Sequence, residues 1–568
     1  MKVLGICFDV WISSAALIDD GKVIAAAPEE RLNRQKLYRG FPKKAIEFCM
    51  KTANCKISDV DFIAVAWNPG RHIKRYNPRF SQNPRWRAEH LYAIPNNLAG
   101  AFDENSIGSI EQTLMLKNGK CSIIYLDHHL SHAANGLYLS PFSEAAIFSA
   151  DGRGEEDTAF YGFGKGSKIT CISSIKFPHS IGLFYGAFTE FLGFRPDSDE
   201  WKVMALASYS SPDNHYYEKV NRLVRFIPNG QIELDLSYFS FFLQDQLHTY
   251  SEKFTDEFGE PRKENAKLEQ KHYHLAAAVQ KVVEEVLVKC LNHLHKLTGL
   301  DNLVVNGGVF MNSVFNGKIL SQSKFKSLFI SSCPDDSGTS IGAALYLFNS
   351  RKNGARKIEV QSHNYYGPEF TNEEIKQTLA KYKIKGNYIN DVEKFTAGEL
   401  SGGKIIGWFQ GRMEFGQRAL GNRSILCDPR DASMKERLNV AVKYRESFRP
   451  FAPSILEEET EKYFDIDKKV LVPFMEKVYM IKKDKQKIIP AVTHVDGSGR
   501  LQTVGKGTNS RYYKLISEFR KLTGVPVLLN TSFNLNGEPI VCSPTDAIRT
   551  FFSSGLDILV LGNYVIQK

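Results

Sequence analysis

Two histidines and two aspartates in the amino-terminal part of the chain are of types that could bind a metal ion together. His128 and His132 are four residues apart, so on a helix both imidazoles would project from one face, one turn apart. Asp151 follows the apolar run 145–150, as expected at the carboxyl end of a strand, and Asp336 lies in a loop before a helix start. Neutral imidazoles and carboxylates suit iron, manganese or zinc. Histidine pairs at this spacing also occur in helices that bind no metal, so the surrounding sequence must support the assignment.

A second group of chemically capable residues, rich in arginine and lysine, lies towards the carboxyl end of the sequence. Segment 410–453 and two later segments interleave basic residues with glycine, phenylalanine, proline and amide side chains. Arginine binds phosphate through two parallel hydrogen bonds, lysine supplies a compact charge, and glycine lets a loop close around an anion. The candidate binding residues are Arg418, Lys443, Arg445, Arg449, Arg500, Asn530, Ser532 and Asn534.

The spacing of four of these residues suggests a site for a planar anionic carbonyl compound beside a nucleotide. Lys443 and Arg445 alternate along one segment, and Ser532 and Asn534 alternate along another. If both segments are extended, each pair faces one side, which predicts a cationic wall opposite a hydroxyl and amide wall. A solvated basic face is the alternative, and the interleaved glycine, phenylalanine and proline favour a binding site.

The elements that would position the amino-terminal residues form a repeated pattern. An apolar strand at 3–8 ends at Asp9 and is followed by a hairpin at 14–26, and a strand at 145–150 ends at Asp151 and is followed by another hairpin. Turns rich in aspartate and glycine between apolar runs are typical of hairpins. Two such units predict an actin-like nucleotide-binding fold with two related lobes, whose hairpin amides could face a phosphate chain. Coincidence between common hairpins is the alternative.

Length and charge predict a protein of at least two domains with an anionic ligand. A chain of 568 residues is too long for one core, and the polar stretch at 349–364 predicts a boundary between domains at 1–352 and 357–568, the second an α/β domain. The 73 basic and 63 acidic side chains give a net charge of +10, which suits an anionic small molecule as well as nucleic acid. The basic segment 71–87 could bind either one, although a solvated loop is favoured.

Cysteine usage and hydropathy predict a cytoplasmic protein. The nine cysteines are dispersed without a Cys-x-x-Cys pair, which is typical of reduced thiols. No apolar run approaches the ~20 residues that a membrane-spanning helix needs, and the first residues lack a signal-peptide pattern. We therefore expect no membrane association.

In their order along the chain, these residues resemble the NodU/CmcH family of O-carbamoyltransferases, which act in antibiotic and nodulation-factor tailoring. The resemblance runs essentially end to end, and its blocks are specific when taken jointly. They are Ser14-Ala15-Ala16-Leu17, Glu29-Glu30-Arg31 with Lys36, His128-x-x-x-His132, Asp151-Gly152, Lys202-Val203-Met204-Ala205-Leu206-Ala207, Gly307-Gly308 with Asn312, Asp336-Ser337-Gly338, and the pairs Lys443-x-Arg445 and Ser532-x-Asn534.

The resemblance implies an α/β protein with an amino-terminal actin-like, two-lobed (ASKHA) domain that binds a metal, followed by a YrdC-like domain. In the YrdC-like domain, carbamoyl phosphate and ATP with Mg²⁺ would give carbamoyladenylate and pyrophosphate. The phosphates would be held, and developing charge stabilised, by Arg418, Lys443, Arg445, Arg449 and Arg500. The carbamoyl group would be oriented by Asn530, Ser532 and Asn534.

For the amino-terminal domain, the resemblance implies transfer of the carbamoyl group at a metal, usually Fe(II) and otherwise another divalent ion. Its ligands would be His128, His132, Asp151 and Asp336. Carbamoyladenylate would bind there with its carbonyl polarised, and an acceptor hydroxyl would attack it as AMP leaves. Gly308 and Asn312 would contact the adenosine, and Lys36 and Lys202 the anionic side. A labile adenylate should pass from one site to the other through protein rather than water.

The chain departs from the family pattern next to the expected acceptor site. Where relatives have His-Asp, this chain has Trp11-Ile12, so an acid or base histidine is absent there. Asp9 or a phosphate of the acceptor could take the proton instead, or the acceptor could differ. Positions 201 and 417 also differ from the family, but the basic residues that follow them are retained.

Carbamoyl transfer to a hydroxyl of a small-molecule natural product, such as an antibiotic, is therefore the expected function. Transfer of a threonylcarbamoyl group to tRNA is the alternative. It needs a long basic surface, and segment 71–87 is the only basic patch in the sequence that supports one. A non-catalytic nucleotide-binding regulator would lack some of the metal-binding or phosphate-binding residues, yet all of them are present in this sequence. We expect no nucleic-acid partner, and a homodimer is left open. The sequence does not determine the acceptor.

Overall fold

The computed structural model describes residues 1–69, 109–116, 119–243, 246–352, 359–443, 446, 448–467 and 470–568. These residues form two compact units. The first comprises Met1–Ala26, Arg39–Asn312 and Lys318–Val360, and the second comprises Ala27–Tyr38, Ser313–Gly317 and Gln361–Lys568. The domains expected at 1–352 and 357–568 remain a prediction. Segment 71–87 and Arg445 lie outside the described residues.

The strands and helices are numbered in chain order. The strands are β1 (Lys2–Cys7), β2 (Ser14–Asp19), β3 (Lys22–Pro28), β4 (Phe62–Val65), β5 (Ser109–Leu116), β6 (Gly119–Leu126), β7 (Glu144–Ala150), β8 (Asp157–Lys165), β9 (Lys168–Lys176), β10 (Val224–Phe226), β11 (Ile232–Leu234), β12 (Asn302–Asn306), β13 (Ser327–Ile330), β14 (Asn387–Tyr388), β15 (Ile406–Phe409), β16 (Arg423–Cys427), β17 (Ala452–Leu456), β18 (Lys477–Met480), β19 (Ser498–Val504), β20 (Val527–Ser532), β21 (Ile558–Leu561) and β22 (Tyr564–Gln567). The α-helices are α1 (Glu29–Asn33), α2 (Lys43–Thr52), α3 (His128–Leu139), α4 (Ile181–Phe191), α5 (Glu200–Ala207), α6 (Tyr217–Asn221), α7 (Glu252–Phe258), α8 (Gln270–Thr298), α9 (Ser313–Gln322), α10 (Thr339–Arg351), α11 (Asn372–Lys381), α12 (Val392–Ser401), α13 (Met434–Leu438), α14 (Thr460–Tyr463), α15 (Lys483–Gln486), α16 (Ser510–Thr523) and α17 (Pro544–Phe552).

Two sheets of the first unit repeat one strand arrangement. Their strand orders are β3-β2-β1-β4-β6-β5 and β13-β12-β7-β8-β9. In the first, β1 pairs antiparallel with β2 and parallel with β4, and in the second, β7 pairs antiparallel with β8 and parallel with β12. Asp9 and Asp151 follow the two equivalent strands β1 and β7. The repeated pattern of strand, acid and hairpin is therefore confirmed as a repeated topology, and the α/β class is confirmed with it.

Close packing of helices on these sheets brings the predicted metal ligands towards one another. Helix α10 packs against both β1 and α3. A Cβ atom at Gly5 would lie 1.8 Å from the carbonyl oxygen of Ser340, and one at Gly342 would lie 1.9 Å from that of Ser131. Only glycine permits such an approach of backbones. The start of α10, which follows Asp336, is consequently held against the helix that carries both histidines.

The second unit is built on a mixed sheet of the order β14-β22-β21-β15-β16-β20-β17-β19-β18 in the described part of the chain. β20 lies between β16 and β17, and β19 pairs parallel with β17. Arg500, Asn530 and Ser532 therefore arise from strands that are close together in this sheet.

The short segment Ala27–Tyr38 belongs to the second unit because two buried or half-buried arginines tie it there. Arg31 donates to the carbonyl oxygen of Gly416 at 2.6 Å, and Arg34 donates to those of Ile540 at 2.6 Å and Pro539 at 2.8 Å. Across the described ranges, no helix combines the length and the apolar character needed to cross a membrane.

Candidate functional site

The structure brings the four predicted metal ligands of the first unit together. The Nε2 atoms of His128 and His132 are 3.1 Å apart. Nε2 of His132 lies 3.0 Å from Oδ2 of Asp151, and Nε2 of each histidine lies 3.5 Å from Oδ1 of Asp336. One ligand atom from each residue falls within 4.8 Å of all the others.

This donor set fits a divalent transition-metal ion. Ligand atoms about 2.1 Å from one ion stand roughly 3.0–3.4 Å apart at octahedral or tetrahedral angles. The distances of 3.0, 3.1 and 3.5 Å given above are close to this range, and Nε2 of His128 lies somewhat farther, at 3.8 Å, from Oδ2 of Asp151. Both imidazoles are fully buried, and mixed nitrogen and oxygen donors suit iron, manganese or zinc. Because the Nε2 atoms converge, each ring would carry its proton on Nδ1 when a metal is bound.

The electrostatics of the four residues also favour a cation. Burial alone would raise the pKa of Asp151, but hydrogen bonds from His128 and His132 and their charges outweigh it and hold the pKa well below its usual value. Burial opposes protonation of His128, yet the charge of Asp336 and hydrogen bonds to both carboxylates raise its pKa well above the ordinary value. A cation bound between the four side chains would offset the charge of the carboxylates and displace any proton held on Nε2 of either imidazole.

Backbone amides fix the orientation of the two carboxylates. Asp151 accepts hydrogen bonds from the N–H groups of Gly152 at 2.7 Å and Gly308 at 3.1 Å. Asp336 accepts one from the N–H of Trp11 at 3.1 Å. The position at which the family has a histidine therefore touches a candidate metal ligand through its backbone. The double glycine, expected to contact adenosine, lies directly beside the predicted metal site.

The other residues predicted for the amino-terminal domain lie on separate elements and have different partners. Asp9 is exposed at the end of β1 with a φ of 61°, a left-handed conformation. Asn312 exchanges hydrogen bonds of 3.0 and 3.2 Å with Gln280 on α8. The ammonium of Lys202 lies 3.1 Å from Oδ2 of Asp199. Lys36 is exposed and belongs to segment Ala27–Tyr38, which is part of the second unit.

In the second unit, Lys443 lies directly on the predicted hydroxyl and amide pair. Its ammonium, on a residue only 4% exposed, donates to the carbonyl oxygen of Ser532 and to the carbonyl and Oδ1 oxygens of Asn534, the last two at 3.0 and 2.9 Å. Ser532 in turn donates through its hydroxyl to Oδ1 of Asn534 at 2.6 Å. Three residues that the sequence singled out thus form one cluster around a buried ammonium, which we call the lysine cluster.

The expectation of two extended walls facing each other is wrong for the described part of the cluster. Lys443 ends a π-helical turn, Asn439–Lys443, and the N–H of Asn534 donates to the carbonyl oxygen of Ser532 at 3.1 Å in a tight turn. Side chains in these conformations do not alternate between two faces. The lysine therefore reaches into the turn formed by Ser532 and Asn534 and does not stand across from it.

A buried carboxylate that the sequence analysis missed shapes the loop that carries Arg418. Oε1 of Glu414, a fully buried residue, accepts hydrogen bonds from the backbone N–H groups of Leu420 at 2.7 Å, Asn422 at 2.8 Å and Arg423 at 3.2 Å. Hydrogen bonds to a charged acceptor are stronger than neutral ones. No local pattern marks this role, because the partners are backbone groups.

The side-chain NH₂ group of Asn530 supports the same loop, while its buried Oδ1 atom accepts no hydrogen bond from the described residues. Its side-chain amide donates to Oε1 of Gln502 at 3.0 Å, Oγ of Ser454 at 3.1 Å and the carbonyl oxygen of Ala419 at 3.2 Å. Gln502 also donates to the carbonyl oxygen of Leu420 at 3.1 Å. Neighbouring strands thus hold the loop through a continuous polar network.

The two other predicted phosphate-binding arginines lie on or next to neighbouring strands. Arg449 precedes β17 and has its Nη1 atom 3.3 Å from Oε2 of Glu446. Arg500 lies on β19, and its charge acts on His494, another residue that the sequence analysis did not single out.

We expect His494 to make the stability of the protein depend on pH. Burial, together with the charges of Arg500 and Lys435, lowers its pKa from 6.5 to about 4, and Asp496 opposes this only in part. Between these values the unfolded chain binds a proton that the folded protein does not, so stability falls as pH falls. Lowering the pH from 7 to 5 should cost about 2 kcal/mol through this residue. Denaturant unfolding of the wild type and His494→Gln at both pH values measures it, and an equal loss in both proteins would contradict it.

Comparisons with known proteins identify the family of the chain. Family models described as the carbamoyltransferase N-terminus and the carbamoyltransferase C-terminus match residues 2–345 and 397–568. Nodulation protein NolNO of Sinorhizobium fredii is 36% identical over 98% of this chain and 78% of its own length. The 3'-hydroxymethylcephem-O-carbamoyltransferase of Amycolatopsis lactamdurans is 34% identical over 47% of this chain and 49% of its own.

Among solved structures, full-length HypF in a phosphate- and nucleotide-bound form aligns with 62% of this chain and 56% of its own. The sequence identity is 14% and the TM-score 0.31, a value that supports no conclusion about fold or function. The family models and the sequence relatives show that the chain belongs to the carbamoyltransferase family and is an enzyme that transfers carbamoyl groups.

Proposed function

We propose that this protein is an ATP-dependent O-carbamoyltransferase that makes carbamoyladenylate and passes its carbamoyl group to a hydroxyl of a small-molecule natural product. The observation that carries the proposal is the presence of two clusters in separate units: a donor set suited to a metal in one, and the lysine cluster in the other. Each belongs to a segment that matches a carbamoyltransferase family model.

The first half of the reaction would take place in the second unit, which we propose to be YrdC-like. Carbamoyladenylate contains only the carbamate part of carbamoyl phosphate, so atom balance requires that water is consumed and that phosphate and pyrophosphate both leave. An oxygen of the carbamate would form the bond to the α-phosphorus of ATP as the bond to pyrophosphate breaks. The substrates would be carbamoyl phosphate and ATP, with Mg²⁺ on the phosphates.

The chain's own groups would stabilise the negative charge that moves to the leaving phosphates. Lys443 would supply a buried positive charge, and Arg418, Arg449 and Arg500 would hold phosphate oxygens, as would Arg445. The burial of Lys443 excludes water from around its ammonium, which strengthens its interaction with a phosphate. Ser532 and Asn534, whose side chains already contact that ammonium, would orient the carbamoyl group beside it.

The second half would take place in the first unit, for which the two sheets of repeated topology support an actin-like assignment. A divalent metal, which we propose to be Fe(II), would act there as a Lewis acid and be held by His128, His132, Asp151 and Asp336. Gly308, whose N–H orients Asp151, and Asn312 would bind the adenosine part, and Lys202 its anionic side. The acceptor oxygen would bond to the carbamoyl carbon while AMP leaves, and Asp9 would accept the hydroxyl proton.

The substrate requirement of the purified protein tests this function. With ATP and carbamoyl phosphate, we expect phosphate and pyrophosphate to be released in equal amounts, because one of each leaves per adenylate formed. Threonine with bicarbonate should not replace carbamoyl phosphate. Pyrophosphate release that depends on threonine and bicarbonate would instead support threonylcarbamoyl transfer to tRNA, which the names of the relatives do not favour. Candidate acceptors can be screened by mass, since each carbamoyl substituent adds about 43 Da.

A further inference from the structure

Glu155 connects the two elements that carry three of the four candidate metal ligands. It lies on the loop between β7 and β8, four residues after Asp151, and is 3% exposed. Its Oε1 accepts hydrogen bonds from the backbone N–H of His128 at 3.0 Å and of Asn68 at 2.7 Å, and its Oε2 lies 3.3 Å from the same N–H of His128. One carboxylate from the loop of Asp151 therefore holds the first residue of helix α3.

This contact replaces a helix cap that the local sequence does not provide. The first N–H groups of a helix have no partner within the helix and need an acceptor from elsewhere. Asp127 stands at the N-cap position of α3 but makes no side-chain capping bond, and its Oδ1 instead accepts from the side-chain amide of Asn68 at 2.9 Å. A carboxylate at this end of a helix is also favoured by the helix dipole.

Glycine at position 154 lets the loop lie close to the first turn of the helix. A Cβ atom at this position would lie 3.1 Å from Cδ2 of His129 and 3.4 Å from Cβ of His128. The loop between β7 and β8 can thus lie close to α3, and it cannot move away without breaking the bonds of Glu155.

We propose that Glu155 is a positioning residue of the metal centre, which sets the place of His128 relative to Asp151. The inference rests on the metal site of the proposed function. A metal ion binds more tightly when its ligands are held in place before it arrives, and residues that orient ligands affect affinity accordingly. Glu155 does so through two backbone N–H groups and does not itself join the ligand atoms.

The test is titration of the metal-free full-length protein with Co²⁺, whose visible absorption depends on ligand geometry. We expect Glu155→Ala to weaken Co²⁺ binding about 10- to 100-fold and to change the absorption spectrum. Glu155→Gln should stay within a few-fold of the wild type, because its single amide oxygen can still accept from both N–H groups. The side chain of Glu155→Asp is shorter and cannot reach both N–H groups, so its affinity for Co²⁺ should lie between those of the alanine and glutamine variants. This variant provides the result if the alanine variant does not fold.

Glu190→Ala is the matched control. Glu190 belongs to the same unit and also accepts a backbone hydrogen bond, from Thr249 at 2.8 Å, but it contacts none of the four ligands in the described residues. It should bind Co²⁺ as the wild type does.

The outcomes separate this inference from the function on which it rests. Wild-type affinity and spectrum in both Glu155→Ala and Glu155→Asp would overturn the positioning role, as would a glutamine variant as weak as the alanine variant. A wild-type protein that binds no Co²⁺ would instead overturn the metal site itself, and the inference with it.

Discussion

Replacing Lys443 with methionine is expected to slow pyrophosphate release from ATP and carbamoyl phosphate about 10²- to 10³-fold. Methionine fills a similar volume but removes a positive charge that lies, almost fully buried, against Ser532 and Asn534. In such a place, charge developing on a phosphate has little water to stabilise it, so the ammonium matters more than it would at the surface. Initial rates of pyrophosphate release at saturating substrate concentrations measure the effect.

Lys477→Met is the matched control for this prediction. Lys477 is also a buried lysine of the second unit, but its ammonium lies 3.5 Å from Oε1 of Glu476 and not in the lysine cluster. We expect it to release pyrophosphate at close to the wild-type rate per folded molecule. The role of Lys443 would be refuted by a folded Lys443→Met protein whose rate stays within about threefold of the wild type, well below the effect of removing an electrostatic stabiliser.

Replacing His132 with alanine is expected to abolish formation of carbamoylated product while pyrophosphate release continues. Nε2 of His132 lies 3.0 Å from Oδ2 of Asp151 and 3.1 Å from Nε2 of His128, so its loss removes a ligand from the middle of the donor set. We expect the affinity for Co²⁺ to fall by about 10²-fold or more. Pyrophosphate release should persist because the residues proposed to make carbamoyladenylate belong to the second unit.

His129→Gln provides the control within the same helix. His129 is equally buried, but its ring nitrogens contact Oγ of Ser149 at 2.8 Å and the carbonyl oxygen of Asp157 at 3.1 Å. Its role is therefore structural, and the variant should bind Co²⁺ and yield product. Unchanged product formation by His132→Ala would remove the metal assignment, whereas parallel loss in both variants would show that the helix, and not the ligand, had been disrupted.

The local spacing of residues in the sequence predicted a large part of this site. His128 and His132 lie one turn apart on α3 because a helix places residues i and i+4 on one face. The strand, acid and hairpin pattern around Asp9 and Asp151 was readable because a strand alternates its faces and a tight turn needs particular residues. The joint order of the motifs then identified the family.

The tertiary structure decided what local spacing cannot encode. Asp336 reaches His128 and His132 because glycines let α10 pack closely on β1 and α3, and contacts between residues distant in sequence leave no periodic pattern. Glu155 and Glu414 were missed since their partners are backbone N–H groups, which every residue except proline has. The position of the Lys443 ammonium follows from the π-helical turn that ends at this residue. The alternation of residue types along the sequence did not indicate that turn.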